Sequence, residues 1–320
     1  MSRRLRTALL DAERRLAAAG VPSPRVDAEL LAAHVLGVGR GRLQLADDLT
    51  DEESVRYEGL LARRMARVPL QHLTGTAPFR ELELLVGPGV LVPRPETEIV
   101  TEAALRHLRA APRDAAGRLT AVDLCSGSGA IAFALATECD GVDVVGLELS
   151  QAAQEWARRN LAQVVPRAGE RGSSVLLRDG DVTGAALPGG VLHDLLARAD
   201  VVVSNPPYIP TGARPRDPEV AEHDPAVALY GGVDGMDVVR EVLATAALLL
   251  RPGGLLVVEH GDLQGDDGGV SSVPALVRAE PDPQQEAAAA FSDVADRVDL
   301  ARRPRFTTAL RRSATAGALR

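Results

Sequence analysis

Apolar residues in the first seventy positions recur at helical spacing. Between Leu5 and Leu16 they are three to four positions apart, which predicts one apolar face of a helix. Ser23 followed by Pro24 predicts the start of a second helix, because serine is a common N-cap and proline is favoured at the first helical position. Thr50 with Glu53 three residues later is the pattern of a capping box, which predicts a third helix.

The pattern changes after these helices. Alternate positions from Leu82 to Val86 are apolar, and a second apolar run, Val90–Val92, follows the turn-forming residues Gly87-Pro88-Gly89. This arrangement predicts a β-hairpin whose turn is the Gly-Pro-Gly segment. The charged, proline-containing segment Val92–Glu98 then predicts the start of a further helix.

From Leu119 onwards, short apolar runs alternate with helical segments. Strands are predicted at Leu119–Leu124, Val142–Leu147, Val175–Leu177, Asp200–Ser204 and Gly254–Glu259, with helices at Ala130–Glu138, Gln151–Gln163 and Asp237–Leu250. Such alternation predicts a mostly parallel sheet covered by helices on both faces, and ligands of such sheets bind at the carboxyl ends of the strands. The Gly-, Ser- and Pro-rich stretch Gly265–Ala290 predicts a loop with one helix. We expect three parts: a helical domain over 1–75, a β-hairpin linker over 76–98 and an α/β domain over 99–320.

Composition excludes several classes of protein. The chain has 320 residues and 36 basic against 44 acidic side chains, a formal net charge of −8, which disfavours binding to a nucleic-acid backbone. The sequence contains no apolar run long enough for a membrane span. Its two cysteines, Cys125 and Cys139, cannot form a disulfide framework, and the histidines and cysteines lack metal-site spacing. We expect a cytoplasmic protein with no bound metal.

The first candidate ligand site follows the strand that ends at Asp123. A loop containing Gly127 and Gly129 opens the next helix, and Glu148 ends the following strand, where a carboxylate can accept both hydroxyl protons of a ribose. The spacing from Gly127 to Ala132 also fits the fingerprint of dinucleotide-binding proteins. Both a nicotinamide dinucleotide and S-adenosylmethionine, which has a ribose and an adenine but no phosphate, therefore remain open from these residues.

The second candidate site is Asn205-Pro206-Pro207-Tyr208, which follows the apolar strand ending at Ser204. An amide or exocyclic amine nitrogen is a poor nucleophile because its lone pair is delocalised. The Asn205 side-chain oxygen and the Pro206 carbonyl can each accept one N–H of such a group, and Tyr208 can lie flat against it. This arrangement indicates catalysis by positioning and charge placement rather than by a general base.

These motifs, in their order, resemble the release factor glutamine methyltransferase (PrmC/HemK) family, whose members methylate the N5 of a protein glutamine with S-adenosylmethionine. The resemblance covers about residues 5–264 and returns at Asp299–Ala309. It includes the segments Val92–Glu98, Asp123–Gly129, Asn205–Tyr208, Ala228–Gly232 with Asp234-Gly235, and Glu259-His260-Gly261 with Gln264. The resemblance implies an α/β fold: a Rossmann-like, seven-stranded S-adenosylmethionine-dependent methyltransferase domain with an N-terminal helical bundle domain.

The resemblance also implies roles for individual residues. The loop would line the methionyl part of S-adenosylmethionine, with Asp123 placing its charged groups; the loop residues are Cys125, Ser126, Gly127, Ser128 and Gly129. Glu148 would hold the ribose, and Asp181 and Val182 would contact the adenine. Asn205, Pro206, Pro207 and Tyr208 would hold the substrate amide, with Asn205, Pro206 and Tyr208 catalytic and Asn205 also next to the cofactor. Three positions depart from the family pattern: Cys125 is often glycine, Glu148 is often aspartate, and Val182 is often aromatic.

The implied substrate is the glutamine in the Gly-Gly-Gln motif of peptide chain release factors, recognised by the helical domain. We expect a monomer that binds neither DNA nor a membrane. Three alternatives remain open: a glutamine methyltransferase acting on a ribosomal protein, a DNA adenine-N6 methyltransferase that shares Asn205–Tyr208, and a nucleoside-binding module without activity. We interpret Arg302, Arg303 and Arg305 as a solvated face.

Overall fold

In the computed structural model, the described residues are 3–267, 269–283 and 285–313. The described N-terminal segment forms four α-helices, α1 (Arg3–Ala18), α2 (Pro24–Leu36), α3 (Asp51–Met65) and α4 (Leu70–Thr74), and a 3₁₀ helix, Arg40–Leu45, between α2 and α3. The predicted capping box is confirmed, because Thr50 accepts the Glu53 N–H while the Glu53 side chain accepts the Thr50 N–H. Ser23 precedes α2 as expected, but its side chain makes no capping hydrogen bond. Apolar faces of these helices enclose a core that includes Leu5, Leu16 and Leu31.

A short hairpin follows, with a different register from the prediction. Strands β1 (Thr76–Phe79) and β2 (Leu82–Leu85) pair with each other, so the turn is at Arg80-Glu81. Val90–Val92 is not a strand, and the predicted Gly-Pro-Gly turn is therefore wrong. Arg80 adopts a φ of 51°, and its side chain donates to Glu138 and Glu102. Tertiary ion pairs thus hold a turn that contains neither glycine nor asparagine.

The remaining elements form the α/β part of the chain. They are α5 (Pro95–Ala110), β3 (Leu119–Leu124), α6 (Ala130–Glu138), β4 (Val142–Glu148), α7 (Gln151–Glu170), β5 (Ser174–Asp179), β6 (Ala199–Ser204), α8 (Pro218–His223), α9 (Ala226–Leu229), α10 (Asp237–Leu249), β7 (Leu250–Glu259), α11 (Val273–Ala279), β8 (Pro281–Asp282), β9 (Gln285–Ala289), β10 (Phe291–Val298) and β11 (Pro304–Arg311). The predicted strands and helices are confirmed, with ends extended by up to seven residues. The stretch after Gly265 contains the expected helix, α11, and also the small β8–β9 sheet that the sequence pattern did not predict.

The central sheet has seven strands in the order β10-β11-β7-β6-β3-β4-β5. Strands β3 to β7 are parallel, while β11 pairs antiparallel with both β7 and β10. Alternate residues of the strands enter two apolar cores, Val122 and Leu124 on one face and Leu119 and Ala121 on the other. The expected Rossmann-like α/β fold with a seven-stranded sheet is confirmed.

The chain forms two compact units. The first consists of Met1–Thr76, Val86–Pro88 and Pro215–Asp224, and the second of Ala77–Leu85, Gly89–Arg214 and Pro225–Arg320. Compact units need not fold independently, so the division into domains at residues 75 and 98 stays a prediction. None of the described helices is long and apolar enough to cross a membrane.

Candidate active site

The candidate site lies where the order of the parallel strands reverses. Strand β3 pairs with β4 on one side and with β6 on the other, so Leu124 is level with both Leu147 and Ser204. The Ser204 hydroxyl donates to the Leu124 carbonyl at 2.7 Å and joins the two strand ends. The loops that begin at Cys125 and Asn205 therefore leave neighbouring strands at the same edge, the position at which open α/β sheets bind ligands.

The loop after β3 has an unusual backbone. Cys125, Gly127 and Gly129 all have positive φ values, of 63°, 56° and 85°. A Cβ on Gly129 would lie 2.1 Å from the Phe133 ring, so only glycine fits there. Cys125 adopts the left-handed conformation with a side chain, a conformation that glycine adopts at lower cost. The loop thereby turns sharply from β3 into α6.

The Glu148 carboxylate connects this loop to the end of β4. Its Oε2 accepts the Gly127 N–H at 2.7 Å, and its Oε1 accepts the Ser150 N–H at 2.7 Å. Burial raises the pKa of Glu148, and these backbone hydrogen bonds oppose the rise. Each carboxylate oxygen has a second lone pair, so Glu148 is oriented by the backbone and can still accept two further hydrogen bonds.

Asp123 lies beneath the loop and is fully buried. Its Oδ2 accepts the Ala132 N–H at 3.0 Å, while Oδ1 has no hydrogen-bond partner among the described residues. Burial raises the pKa of Asp123 to about 8, with a further contribution in the same direction from Glu148. A buried carboxyl oxygen without a donor is costly unless the group is protonated or a ligand supplies charge or a hydrogen bond.

The Asn205–Tyr208 loop is held by two segments that come later in the chain. The Gln264 side chain donates to the Tyr208 carbonyl at 2.7 Å and accepts the Gly261 N–H at 2.8 Å. A Cβ on Gly231 would lie 2.4 Å from the Pro207 carbonyl oxygen, and one on Gly235 would lie 2.3 Å from that of Tyr208. These contacts give a structural reason for Gln264 and for both glycines.

A cavity of about 410 Å³ opens beside the two loops. Seven of the residues singled out in the sequence line it, namely Cys125, Gly127, Glu148, Asp181, Val182, Asn205 and Pro207. The other six do not line it, namely Asp123, Ser126, Ser128, Gly129, Pro206 and Tyr208. Their proposed roles would have to be structural or would have to involve a different side of the loop.

Sequence reasoning missed part of the cavity wall. Val90 and Leu91, from the segment expected to be a strand, line it, as do Ser150, Tyr230 and Glu241. Tyr230 belongs to the Ala228–Gly232 segment that supported the family resemblance, and that segment could have identified Tyr230 as a candidate site residue. Val90, Leu91 and Glu241 carry no local signal, because only the tertiary fold brings them to the cavity. Within the described part of the chain, no group of three or more His, Cys, Asp or Glu side chains is placed to hold a metal ion.

Arg305 corrects the interpretation of the C-terminal arginines. Arg302 and Arg303 are exposed, but the Arg305 side chain is only 12% exposed and lies 3.4 Å from Asp299. Its position in β11 brings it into the electrostatic environment of Tyr208 and Glu259. The interpretation of these arginines as a solvated face is therefore wrong for Arg305, because the alternation of strand residues directs its side chain inward.

Comparison with known proteins decides the family. Residues 7–75 match the family model of the PrmC N-terminal domain. The chain is 49% identical over 308 residues to the release factor glutamine methyltransferase of Mycolicibacterium smegmatis, covering 96% of this chain and 98% of the relative. The chain belongs to the release factor glutamine methyltransferase family. It is also 48% identical to the Streptomyces coelicolor member, covering 93% of this chain and 95% of that one.

A relative with a different name extends this comparison. The chain is 40% identical over 277 residues to the 4-amino-L-phenylalanine/4-methylamino-L-phenylalanine methyltransferase of Streptomyces pristinaespiralis, covering 86% of this chain and 87% of that protein. Both names describe methyl transfer. The family and the fold together make this chain a methyltransferase.

Proposed function

We propose that this protein transfers a methyl group from S-adenosyl-L-methionine to the side-chain N5 of the glutamine in the Gly-Gly-Gln motif of peptide chain release factors. The observation that carries the proposal is that Asn205 and Pro207 line the same cavity as Glu148 and Cys125. An amide-holding loop and a ribose-holding carboxylate thus open on one space. Among the named relatives, those most similar along the whole chain are release factor glutamine methyltransferases.

The residues around the cavity fit S-adenosylmethionine. Glu148 presents lone pairs suited to the two ribose hydroxyls, and Val182 offers an apolar surface to the adenine next to Asp181. The Asp123 Oδ1, buried and without a donor, suits a site near the positive charges of the methionyl group. A Cβ on Gly127 would meet open space, so the loop leaves room for a ligand close to its backbone. The cofactor supplies an electrophilic methyl group on a sulfonium.

The substrate amide is held by the Asn205–Tyr208 loop in this proposal. The Asn205 Oδ1 and the Pro206 carbonyl each accept one N–H, which favours a pyramidal nitrogen with its lone pair directed at the methyl group. As the new N–C bond forms, the C–S bond breaks with its electrons on sulfur, and the nitrogen then loses one proton to solvent. Neither Pro206 nor Tyr208 lines the cavity, so their contacts with the amide, including the stacking of Tyr208, are made from a different side of the loop, which Pro207 stiffens. No metal takes part.

The N-terminal helices have a separate role in this proposal. Residues 1–75 recognise the body of the release factor, since the described part of this segment carries a core of its own and no residue of the cavity wall. We also propose that the protein acts as a monomer in the cytoplasm, where free thiols such as Cys125 and Cys139 persist. Sedimentation of the purified protein measures its oligomeric state.

The test uses labelled S-adenosylmethionine with several acceptors in parallel. These are a release factor, the same factor with its Gly-Gly-Gln glutamine replaced by alanine, a mixture of ribosomal proteins, duplex DNA and 4-amino-L-phenylalanine. We expect label on the release factor glutamine and none on its alanine variant. Label on a ribosomal glutamine alone would assign the sister activity, label on adenine would assign a DNA methyltransferase, and label on the amino acid alone would assign the small-molecule activity.

A further inference from the structure

The Asn205–Tyr208 loop contains two residues that cannot donate a hydrogen bond from the backbone. Pro206 and Pro207 have no N–H, so the loop cannot be anchored by donors at these two positions. Its anchors must be carbonyl groups and side chains, or groups from other segments. The Tyr208 carbonyl is such an anchor, because it accepts a hydrogen bond from the Gln264 side chain at 2.7 Å.

Gln264 is held through both its backbone and its side chain. Its N–H donates to the Gly261 carbonyl at 3.0 Å, and its carbonyl accepts the Val273 N–H at 2.9 Å. Its Oε1 accepts the Gly261 N–H at 2.8 Å, and its Nε2 donates to the Tyr208 carbonyl. The residue is 6% exposed and does not line the cavity. Gln264 therefore contacts the loop from a fixed position outside the cavity wall.

The partners of the Gln264 amide determine its orientation. A backbone N–H can only donate and a backbone carbonyl can only accept, so Oε1 faces Gly261 and Nε2 faces Tyr208. Rotating the amide by half a turn would place two donors together on one side and two acceptors together on the other. Both hydrogen bonds would then be lost among buried groups, which is the costly arrangement.

This amide joins the loops that follow two neighbouring strands. Strands β6 and β7 are parallel, and Ser204 at the end of β6 is level with Val258. The chain continues from β7 into Gly261, and a Cβ on that glycine would lie 3.7 Å from Cδ2 of the Tyr208 ring. The turn from Gly261 to Gln264 therefore lies against the Tyr208 ring and is hydrogen-bonded to the Tyr208 carbonyl.

We propose that Gln264 is a positioning residue for methyl transfer, which holds the Asn205–Tyr208 loop in its reactive geometry through the Tyr208 carbonyl. This inference rests on the proposed function, in which that loop holds the substrate amide. The first residue of the loop directly follows Ser204, whose hydroxyl is bonded to the neighbouring strand. The loop is thus held at both ends, and release of the Tyr208 end would let the acceptors of the substrate amide move relative to the cofactor.

The test changes the donor of Gln264 at nearly constant shape. Gln264→Glu retains an oxygen for the Gly261 N–H but, when ionised, places a second acceptor against the Tyr208 carbonyl. When protonated, the same carboxyl group can donate to that carbonyl and restore the bond. Burial raises the pKa of a carboxyl group, and both described partners of the Gln264 amide are backbone groups. Lowering the pH should therefore restore turnover in Gln264→Glu but not in Gln264→Ala, which has no group to protonate.

The native titratable groups around this turn are the same in every variant. Asp262 and Asp266 lie on the same loop as Gln264, and the buried His260 lies 3.4 Å from Asp296 of β10. Tyr208 presents its phenol from the loop that the amide holds. The ratio of kcat in a variant to kcat in wild type, taken at equal pH, removes the effect of these groups.

Ser173→Ala is the matched control. The Ser173 hydroxyl also accepts one backbone N–H, that of Val142 at 3.1 Å, and donates to one backbone carbonyl, that of Cys139 at 2.8 Å. Ser173 is 8% exposed and directly precedes β5, at the amino ends of the parallel strands and therefore opposite the candidate site. Its loss should lower the melting temperature without changing kcat.

Five quantities are measured for each variant between about pH 5.5 and 9. They are kcat and KM for the release factor, the cofactor Kd by calorimetry, the melting temperature, and the carbonyl ¹³C resonance of Tyr208. Labelling the carbonyl carbons of tyrosine gives few signals, because the chain has three tyrosines. The Tyr208 signal is assigned by its absence from Tyr208→Phe.

We expect Gln264→Ala to lower kcat by about 10- to 10²-fold at every pH, as for other losses of catalytic positioning, with the cofactor Kd unchanged. The kcat ratio of Gln264→Glu should be as low at high pH and should rise towards 1 as the pH falls. Its Tyr208 carbonyl resonance should return towards the wild-type position over the same range. Where Gln264→Ala does not fold, Gln264→Glu carries the test, because its two protonation states are compared within one folded protein.

Two results would overturn the proposal. One is a kcat in Gln264→Ala equal to that in Ser173→Ala, and the other is a constant kcat ratio in Gln264→Glu while its Tyr208 resonance moves with pH. If wild-type protein labels no release factor, the proposed function fails, and the resonance alone then decides. An unchanged Tyr208 carbonyl signal in Gln264→Ala would refute the positioning contact whatever the substrate.

Discussion

The backbone N–H of Gly127 donates to Oε2 of Glu148 at 2.7 Å, so the loop after β3 and the end of β4 are joined by one carboxylate. The other oxygen of the same carboxylate accepts the Ser150 N–H at the start of α7. A single side chain therefore sets the shape of the loop and presents lone pairs to the cavity. This double role links the geometry of the site to its affinity for a nucleoside.

Replacing Glu148 should weaken cofactor binding more than it weakens the fold. Glu148→Ala removes the ribose acceptor and releases the Gly127 N–H, and hydrogen bonds to a charged group are worth about 1.5–3 kcal/mol, or roughly 10- to 150-fold in Kd. Calorimetry with S-adenosylmethionine and with its demethylated product measures this change. Asp179→Asn is the control, because Asp179 ends the neighbouring strand β5 and is half-exposed beside Arg158. Equal affinity in Glu148→Ala and wild type would remove Glu148 from the cofactor site.

Asp123 should make the stability of the cofactor-free protein depend on pH. Its pKa rises from 3.8 to about 8 on folding, so between these values the folded state holds a proton that the unfolded chain has lost. Stability should therefore fall as pH rises through this window. Asp123→Asn resembles the protonated acid and removes this contribution. Its melting temperature relative to wild type should be more favourable at pH 8 than at pH 5, and a difference that is the same at both values would contradict the buried, raised pKa.

The parts of the fold that the sequence predicts are those with a local physical cause. The Thr50–Glu53 capping box and the βαβ alternation from Leu119 depend on neighbours in the chain, and both are present in the structure. The hairpin register fails because its real turn, at Arg80, is stabilised by Glu138 and Glu102 from other elements. No pattern near residue 80 reveals these partners, whereas Gly87-Pro88-Gly89 carries a strong turn signal.

The candidate site divides in the same way. Glu148 and Asn205 could be identified because each directly follows or ends an apolar strand of a parallel sheet. Thr97 and Gln264 could not be assigned a role, since their partners Asn205 and Tyr208 are distant in the sequence. A residue that acts by orienting another has no characteristic spacing in the sequence, so its role becomes visible only from its contacts in the structure.

Glu219 should stabilise the first unit through buried ion pairs. It accepts from Arg64 at 2.8 Å and from Arg67 at 2.6 Å, and Arg64 also contacts Asp27 at 2.7 Å. Burial alone would raise the pKa of Glu219, but the hydrogen bonds from Arg67 and Arg64 and from the backbone outweigh it and lower the pKa to about 2. The stabilisation is therefore complete above about pH 4.5 and is lost as pH falls towards 2.

Glu219→Ala should lower the free energy of unfolding by about 1–3 kcal/mol, because it leaves two partly buried guanidinium groups with fewer acceptors. Denaturant titration at pH 7 measures the loss. Glu58→Ala is the matched control, since Glu58 pairs with Arg15 while its side chain is 56% exposed, and such pairs contribute less than about 1 kcal/mol. If the two substitutions cost the same, the buried network adds nothing beyond a surface ion pair.

Asn205 itself allows a test of how the amide is held. If its Oδ1 accepts a substrate N–H as charge develops on the nitrogen, Asn205→Ala should lower kcat by about 10²–10³-fold with little change in cofactor Kd. Asn205→Asp retains an acceptor but places a negative charge near the sulfonium. That charge stabilises the ground state more than the transition state, in which sulfur loses its charge, so turnover should fall even where cofactor binding holds or improves.

The melting temperature distinguishes this outcome from a structural role for Asn205. A residue that only supports the fold would lose stability and cofactor affinity together in both variants, whereas a substrate-holding residue loses turnover at constant stability. Near-wild-type turnover in Asn205→Ala would exclude this side chain from catalysis.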